Sequence, residues 1–206
     1  MALATWLAFL LAAILIAVSP GPGAATSMSV GLRHGYWAAL RAIGGLQSAL
    51  LIQLTIVAAG LGALLSTSTT AFNVMKFLGA GYLIWLGIQK WRDAPQAIDG
   101  DEAAAVKPQG LFTQGLLVNL TNPKAIVFMA ALTPQFIDPA RPQWLQFAII
   151  GATMCGVDTI VMSGYALLAT RLRRWLRNPR AMKAQNRFFG GIFVGAGALL
   201  AASGRS

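Results

Sequence analysis

Ser19-Pro20-Gly21-Pro22-Gly23 interrupts an apolar run that begins almost at Met1, and no charged side chain occurs before Arg33. Two prolines and two glycines in five residues are turn chemistry. Here the turn sits inside a stretch long enough to cross a bilayer, which takes roughly 20 mostly apolar residues. Composition points to a bilayer as the setting: of 206 residues, 56% are hydrophobic and 11% are charged, against about 25% charged in soluble domains. No Lys or Arg precedes the first apolar run, so it reads as a span and not as a signal peptide. Gly23-Ala24-Ala25 mimics a cleavage site.

Working outward, the hydropathy pattern gives six spans. They cover about Leu3 to Ser29 with the break inside, Ile43–Leu65, Phe72–Trp91, Leu111–Phe136, Leu145–Leu168 and Phe188–Ala202. The net charge of +10 is distributed unevenly. Arg33, Arg41, Lys90, Arg92, Lys107 and the run from Arg171 to Arg187 fall in the odd-numbered linkers, whereas Arg141 and Arg205 fall on the other side, with Lys76 near it. Cytoplasmic loops carry the excess of Lys and Arg, which predicts cytoplasmic odd linkers and both termini outside. Basic residues between apolar runs, without interleaved aromatics on a basic face, give no nucleic-acid site. His34 beside Arg33 reads as an exposed loop residue.

Residues 94–108, with Pro95, Gly100 and Pro108, read as a flexible cytoplasmic linker between halves of about 1–93 and 109–206 within one transmembrane domain. The second half has its own interruption, Asn119-Leu120-Thr121-Asn122-Pro123-Lys124-Ala125, and Pro20 and Pro123 lie 103 residues apart in the chain of 206. Lys76-Phe77-Leu78-Gly79-Ala80 also resembles Arg187-Phe188-Phe189-Gly190-Gly191. Three spans per half is an odd number, so the halves enter from opposite sides. The expected fold is all-α: a polytopic membrane protein with six transmembrane helices as two inverted three-helix repeats, the first and fourth helices broken. In transporters built this way, paired interrupted segments mark the binding site.

Charge spacing sets the depth. Met1–Leu32 is uncharged, Pro108–Ile137 contains only Lys124, and Pro142–Thr170 contains only Asp158. Each break, and each lone charge, is near the middle of its window. A charge at the bilayer centre costs about 2.5–3.5 kcal/mol on insertion scales, so Lys124 and Asp158 read as a functional pair or as an ion pair locking two helices. A broken helix frees backbone groups that lipid cannot satisfy and suits a watered cavity. The helix beyond each break points its N-terminus there, with Asn122 as cap before Pro123 and Ser19 as cap before Pro20. Ser19, Pro20, Gly21, Pro22, Gly23, Asn119, Asn122, Pro123 and Lys124 are therefore candidates to hold a carboxylate. Asp158 is the candidate for an ammonium group or a proton. Gln47 and Gln53, each at least as readily a helix–helix contact, and Tyr165, which with Met154 and Met162 falls near the Asp158 face of a helical fifth span, are secondary candidates. Gly79, Gly81 and Gly87 read as close-packing positions.

One cysteine, Cys155, and one histidine, His34, exclude an internal disulfide and a Cys/His metal site. No catalytic constellation, metal or cofactor is expected. "SPGP", "KFLGAGYLIWLG" at Lys76–Gly87, "NLTNPKAIVF" at Asn119–Phe128, Asp158 followed by "YALLA", and "RFFGGIFVGAGALL" at Arg187–Leu200 together resemble the LysE/RhtB-type amino-acid exporters. The resemblance implies a bacterial inner-membrane protein that moves amino acids or related metabolites outward, coupled to protons. The family often has Asn after SPGP, where this chain has Gly23, which leaves the substrate open. Efflux of another small cation or metabolite, and a non-transporting membrane assembly protein, are the alternatives. Partners would be a small-molecule substrate, protons and the lipid bilayer; a homodimer stays open.

Overall fold

The computed structural model describes residues 1–65, 69–92, 108–138, 140–169 and 178–202. Among them, regular structure is helical throughout. Helix α1 is Leu3–Val18, α2 Pro22–His34, α3 Tyr36–Leu65 and α4 Thr69–Arg92. The second half has α5 at Leu111–Leu120, α6 at Pro123–Val127, α7 at Gln143–Leu167 and α8 at Pro179–Ala202. Residues 94–107 of the expected linker, Arg171, Arg173, Arg174, Arg177 and Arg205 lie outside the described residues, and so does the side chain of Lys76.

Both expected breaks are present. The chain bends by 56° between α1 and α2, and by 54° between α5 and the helical stretch Pro123–Phe136. Among the described residues, two helices, over Tyr36–Gly60 and Gln143–Leu167, are long and apolar enough to cross a membrane, and each bent pair taken as one span raises this to four. Leu3, Leu7, Leu11 and Ile14 form an exposed apolar stripe along α1, and Trp37 and Trp144 stand exposed at the starts of α3 and α7, where aromatic belts meet lipid headgroups.

Several helices start earlier than hydropathy predicts. α3 begins at Tyr36 and not Ile43, and α8 at Pro179 and not Phe188, which puts Arg180, Lys183 and Arg187 on a helix instead of in a linker. α8 opens on the same device as α6. Asn178 Oδ1 accepts from Arg180 N at 3.0 Å, as Asn122 Oδ1 accepts from Lys124 N at 3.1 Å, each Asn followed by Pro at the first helical position. Ser19 does not cap α2, contrary to expectation. The cap position is Gly21, with φ −158° and ψ −168°, because Pro22 forces its predecessor into extended backbone. Between α2 and α3, Gly35 turns the chain at φ +81°, where only glycine is unstrained.

Contact registers give helix directions. Trp6 Nε1 donates to Thr153 Oγ1 and Tyr165 Oη to Val18 O, both pairs 147 residues apart, so α1 and α7 run the same way. Ala42 meets Gly115 and Leu46 meets Asn119, so α3 and α5 are also parallel. Gly87 faces Gly190 while Ala80 faces Gly197, which makes α4 and α8 antiparallel. Gln47 meets Asp158 and Leu54 meets Gly151, so α3 and α7 are antiparallel as well. Phe9 of α1 packs at 5.2–6.0 Å against Phe128 and Phe136 of the second half; Phe9 and Phe128 belong to one buried cluster, and Phe136 packs against it.

In lipid, helices associate through close packing more than through apolar burial. A Cβ on Gly115 would meet the Ala42 carbonyl, and one on Gly45 would meet the Phe112 carbonyl and Leu116 amide. Gly87 and Gly190 have the same role between α4 and α8; Gly81, expected to pack, faces open space. Gly115→Val is therefore expected to cost about 1–3 kcal/mol, read as a lower unfolding midpoint in detergent. Gly156→Ala, at a position with no neighbour within 4 Å, leaves the midpoint unchanged.

Candidate functional site

A proline at position i removes the amide that the carbonyl at i−4 would accept from in a helix. Pro20 and Pro22 thus orphan the carbonyls of Ile16 and Val18, and Pro123 takes away the helical donor of Asn119 O, which accepts from Asn122 N at 3.2 Å instead. Each finds a side-chain donor from the other half of the chain. Lys124 Nζ donates to Ile16 O at 3.0 Å and to Ser19 O at 2.6 Å. Tyr165 Oη donates to Val18 O at 2.8 Å, and Gln53 Nε2 donates to Asn119 O at 2.8 Å. Gln53 and Tyr165, both candidates from sequence, are placed on the breaks as donors to backbone.

The Asn119–Lys124 loop is a hydrogen-bonded unit. Asn119 Nδ2 donates to Leu46 O at 2.9 Å and its Oδ1 accepts from Asn122 Nδ2 at 3.2 Å. Asn122 in turn caps α6 through the Lys124 amide. The first break differs: no side chain caps α2, so its first-turn amides remain available, a local positive end.

Between the two breaks lies a cavity of about 30 Å³. Gly23 and Ala24 from the start of α2, Asn119, Asn122 and Lys124 from the second break, and Asp158 from α7 line it. Ile16, Leu46, Leu50, Phe128, Met154 and Met162 supply apolar wall. Four of the nine predicted carboxylate-site residues therefore face the cavity, namely Gly23, Asn119, Asn122 and Lys124. Ser19, Pro20, Gly21, Pro22 and Pro123 are not in its lining and shape it from behind. Met154 and Met162 share the cavity face with Asp158, as their spacing predicts, whereas Tyr165 lines an open apolar groove of about 650 Å³ between α7 and α8.

Lys124 and Asp158 thus share one cavity but do not pair: no ion pair joins them among the described residues. The ammonium is held by carbonyls of α1, and Asp158 Oδ2 accepts from Gln47 Nε2 at 2.7 Å. Gln47 Oε1 is buried without a partner among the described residues. A cavity of this size has room for water, and an amino acid fits only if the walls part. Those walls come from both halves. The sequence reading missed the π-helical turn Phe128–Leu132 behind the cavity; Thr133-Pro134 just beyond it is the nearest local signal.

The family described as LysE type translocator matches residues 14–204. Over 199 residues, 96% of each chain, the sequence is 50% identical to a protein of Salmonella typhimurium named homoserine/homoserine lactone efflux protein. It is 46% identical to an uncharacterized membrane protein of Vibrio cholerae, over 95% of this chain and 96% of the other. It is 31% identical to the leucine efflux protein of Klebsiella pneumoniae, over 95% and 94%. No solved structure matches. With both interruptions, the lone Lys and Asp and nearly the whole length covered by the match, the chain belongs to the LysE type translocator family of membrane proteins.

Proposed function

We propose that this protein is a secondary transporter of the bacterial inner membrane that exports amino acids or close derivatives, homoserine among them. The observation that carries the reading is a cavity lined by both an ammonium and a carboxylate, Lys124 and Asp158, between two helix breaks. A zwitterion is complementary to that arrangement: its carboxylate toward Lys124 and the uncapped start of α2, its ammonium toward Asp158. The names of the Salmonella and Klebsiella relatives support the same substrate class.

In this proposal the chain crosses the membrane six times as two inverted three-helix halves, about 1–93 and 109–206, with both termini periplasmic. The antiparallel α4–α8 pair and the parallel α1–α7 and α3–α5 pairs support the inversion. Protons supply the driving force, with Asp158, the one acid within an apolar run, as the group shared between proton and substrate.

The test is counterflow from vesicles carrying the purified protein, preloaded with labelled L-homoserine, L-leucine or other amino acids, with and without a pH gradient. The expected result is gradient-stimulated movement of L-homoserine. If no zwitterion moves, the reading is wrong; movement insensitive to the gradient removes the proton.

A further inference from the structure

Both cavity charges are already occupied, and each by the opposite half. Lys124, in the second half, holds two carbonyl oxygens of the first, Ile16 O and Ser19 O. Asp158, also in the second half, holds an amide N–H of the first, that of Gln47. The contacts have the polarity of a zwitterion: oxygen acceptors on the ammonium, an N–H donor on the carboxylate. We propose that these groups are internal stand-ins for the substrate, so that binding exchanges cross-half contacts for substrate contacts and frees the halves to separate.

The inference rests on the zwitterion reading of the cavity and adds a mechanism to it. A carboxylate binds an ammonium more strongly than a backbone carbonyl does, because both partners are charged. The exchange on Lys124 therefore runs toward substrate. Gln47 is held on one side only, since its Oε1 has no partner among the described residues, and it is released without breaking a second bond. A ligand shifts a conformational equilibrium only through differential interaction with the two states. Here the difference is explicit, because the closed arrangement uses the charges that the substrate needs. Returning to Asp158, Gln47 also displaces the departing substrate.

Gln47 therefore competes with substrate, which sets the sign of its mutation. Gln47→Met, similar in size, and Gln47→Asn, one methylene shorter, are each expected to bind L-homoserine about tenfold more tightly, the order for a hydrogen bond to a charged group. Turnover falls in both, so KM and kcat drop together. Affinity is read by titration of purified protein in nanodiscs. A weaker affinity makes Gln47 a substrate ligand, an unchanged one makes it a structural contact, and either overturns the proposal.

A second measurement keeps the wild-type side chains of the site. In a Cys155→Ala background, spin labels at Ile14→Cys and Ile126→Cys, both exposed, report the distance between the end of α1 and α6. Saturating L-homoserine is expected to lengthen it, and an unchanged distance overturns the proposal. Failure of the transport reading looks different: wild-type protein then binds no amino acid in the titration, and the exchange falls with it.

Discussion

Asp158→Asn is expected to abolish amino-acid efflux while leaving insertion and the unfolding midpoint close to wild type. Asparagine keeps an oxygen at the position that accepts from Gln47 Nε2 at 2.7 Å, so the α3–α7 contact survives. The negative charge does not. Removing one partner of a desolvated charge pair costs about 2–5 kcal/mol, which is a loss of roughly thirtyfold or more in affinity for a substrate bearing an ammonium. Binding of a ligand lacking the ammonium would be far less affected, and this contrast separates loss of recognition from loss of fold. The check is efflux of preloaded labelled amino acid, with membrane quantity of the variant matched to wild type. Efflux within twofold of wild type would remove Asp158 from the site.

Much of the site was readable because proline and asparagine act locally. The breaks follow from Pro20, Pro22 and Pro123, and the Asn122 cap from Asn-Pro spacing. The same rule, applied to Asn178-Pro179, finds the true start of α8. Hydropathy misses it because the first turns of α8 carry Arg180 and Lys183 and extend beyond any apolar window. The Ser19 cap fails for an equally local reason: Pro22 and not Pro20 opens the helix, which leaves Gly21 extended.

What the chain alone does not reveal is which donor meets which orphaned carbonyl. The i−4 rule names Ile16, Val18 and Asn119 as losing their helical donors. That Lys124, Tyr165 and Gln53 supply them depends on helix registers set by glycine contacts such as Gly45 with Phe112. For the same reason Lys124 and Asp158 look from their depth like an ion pair. Their actual partners, a helix end and a glutamine, are one helix away in directions that depth does not encode.

Lys124→Met is expected to differ from Asp158→Asn by losing stability as well as transport. The ammonium satisfies Ile16 O, whose helical donor Pro20 lacks, and Ser19 O at 2.6 Å. A buried acceptor left without its partner costs about 1–3 kcal/mol, so the unfolding midpoint falls. The variant also loses the positive charge facing a substrate carboxylate, and efflux falls at least as far as in Asp158→Asn. Lys124→Arg recovers only part of either, since a planar guanidinium cannot replace a compact ammonium that holds two carbonyls at the narrow gap beside Gly21, where a Cβ would lie 3.3 Å from Nζ. The two charges share one cavity but hold separate partners, so the double variant Lys124→Met with Asp158→Asn is expected to be as destabilised as Lys124→Met alone. Recovery of the midpoint in the double variant would mean that the charges compensate each other, as in a structural ion pair. A double variant no more stable than Lys124→Met leaves each charge with its own task, one at the end of α1 and one at Gln47.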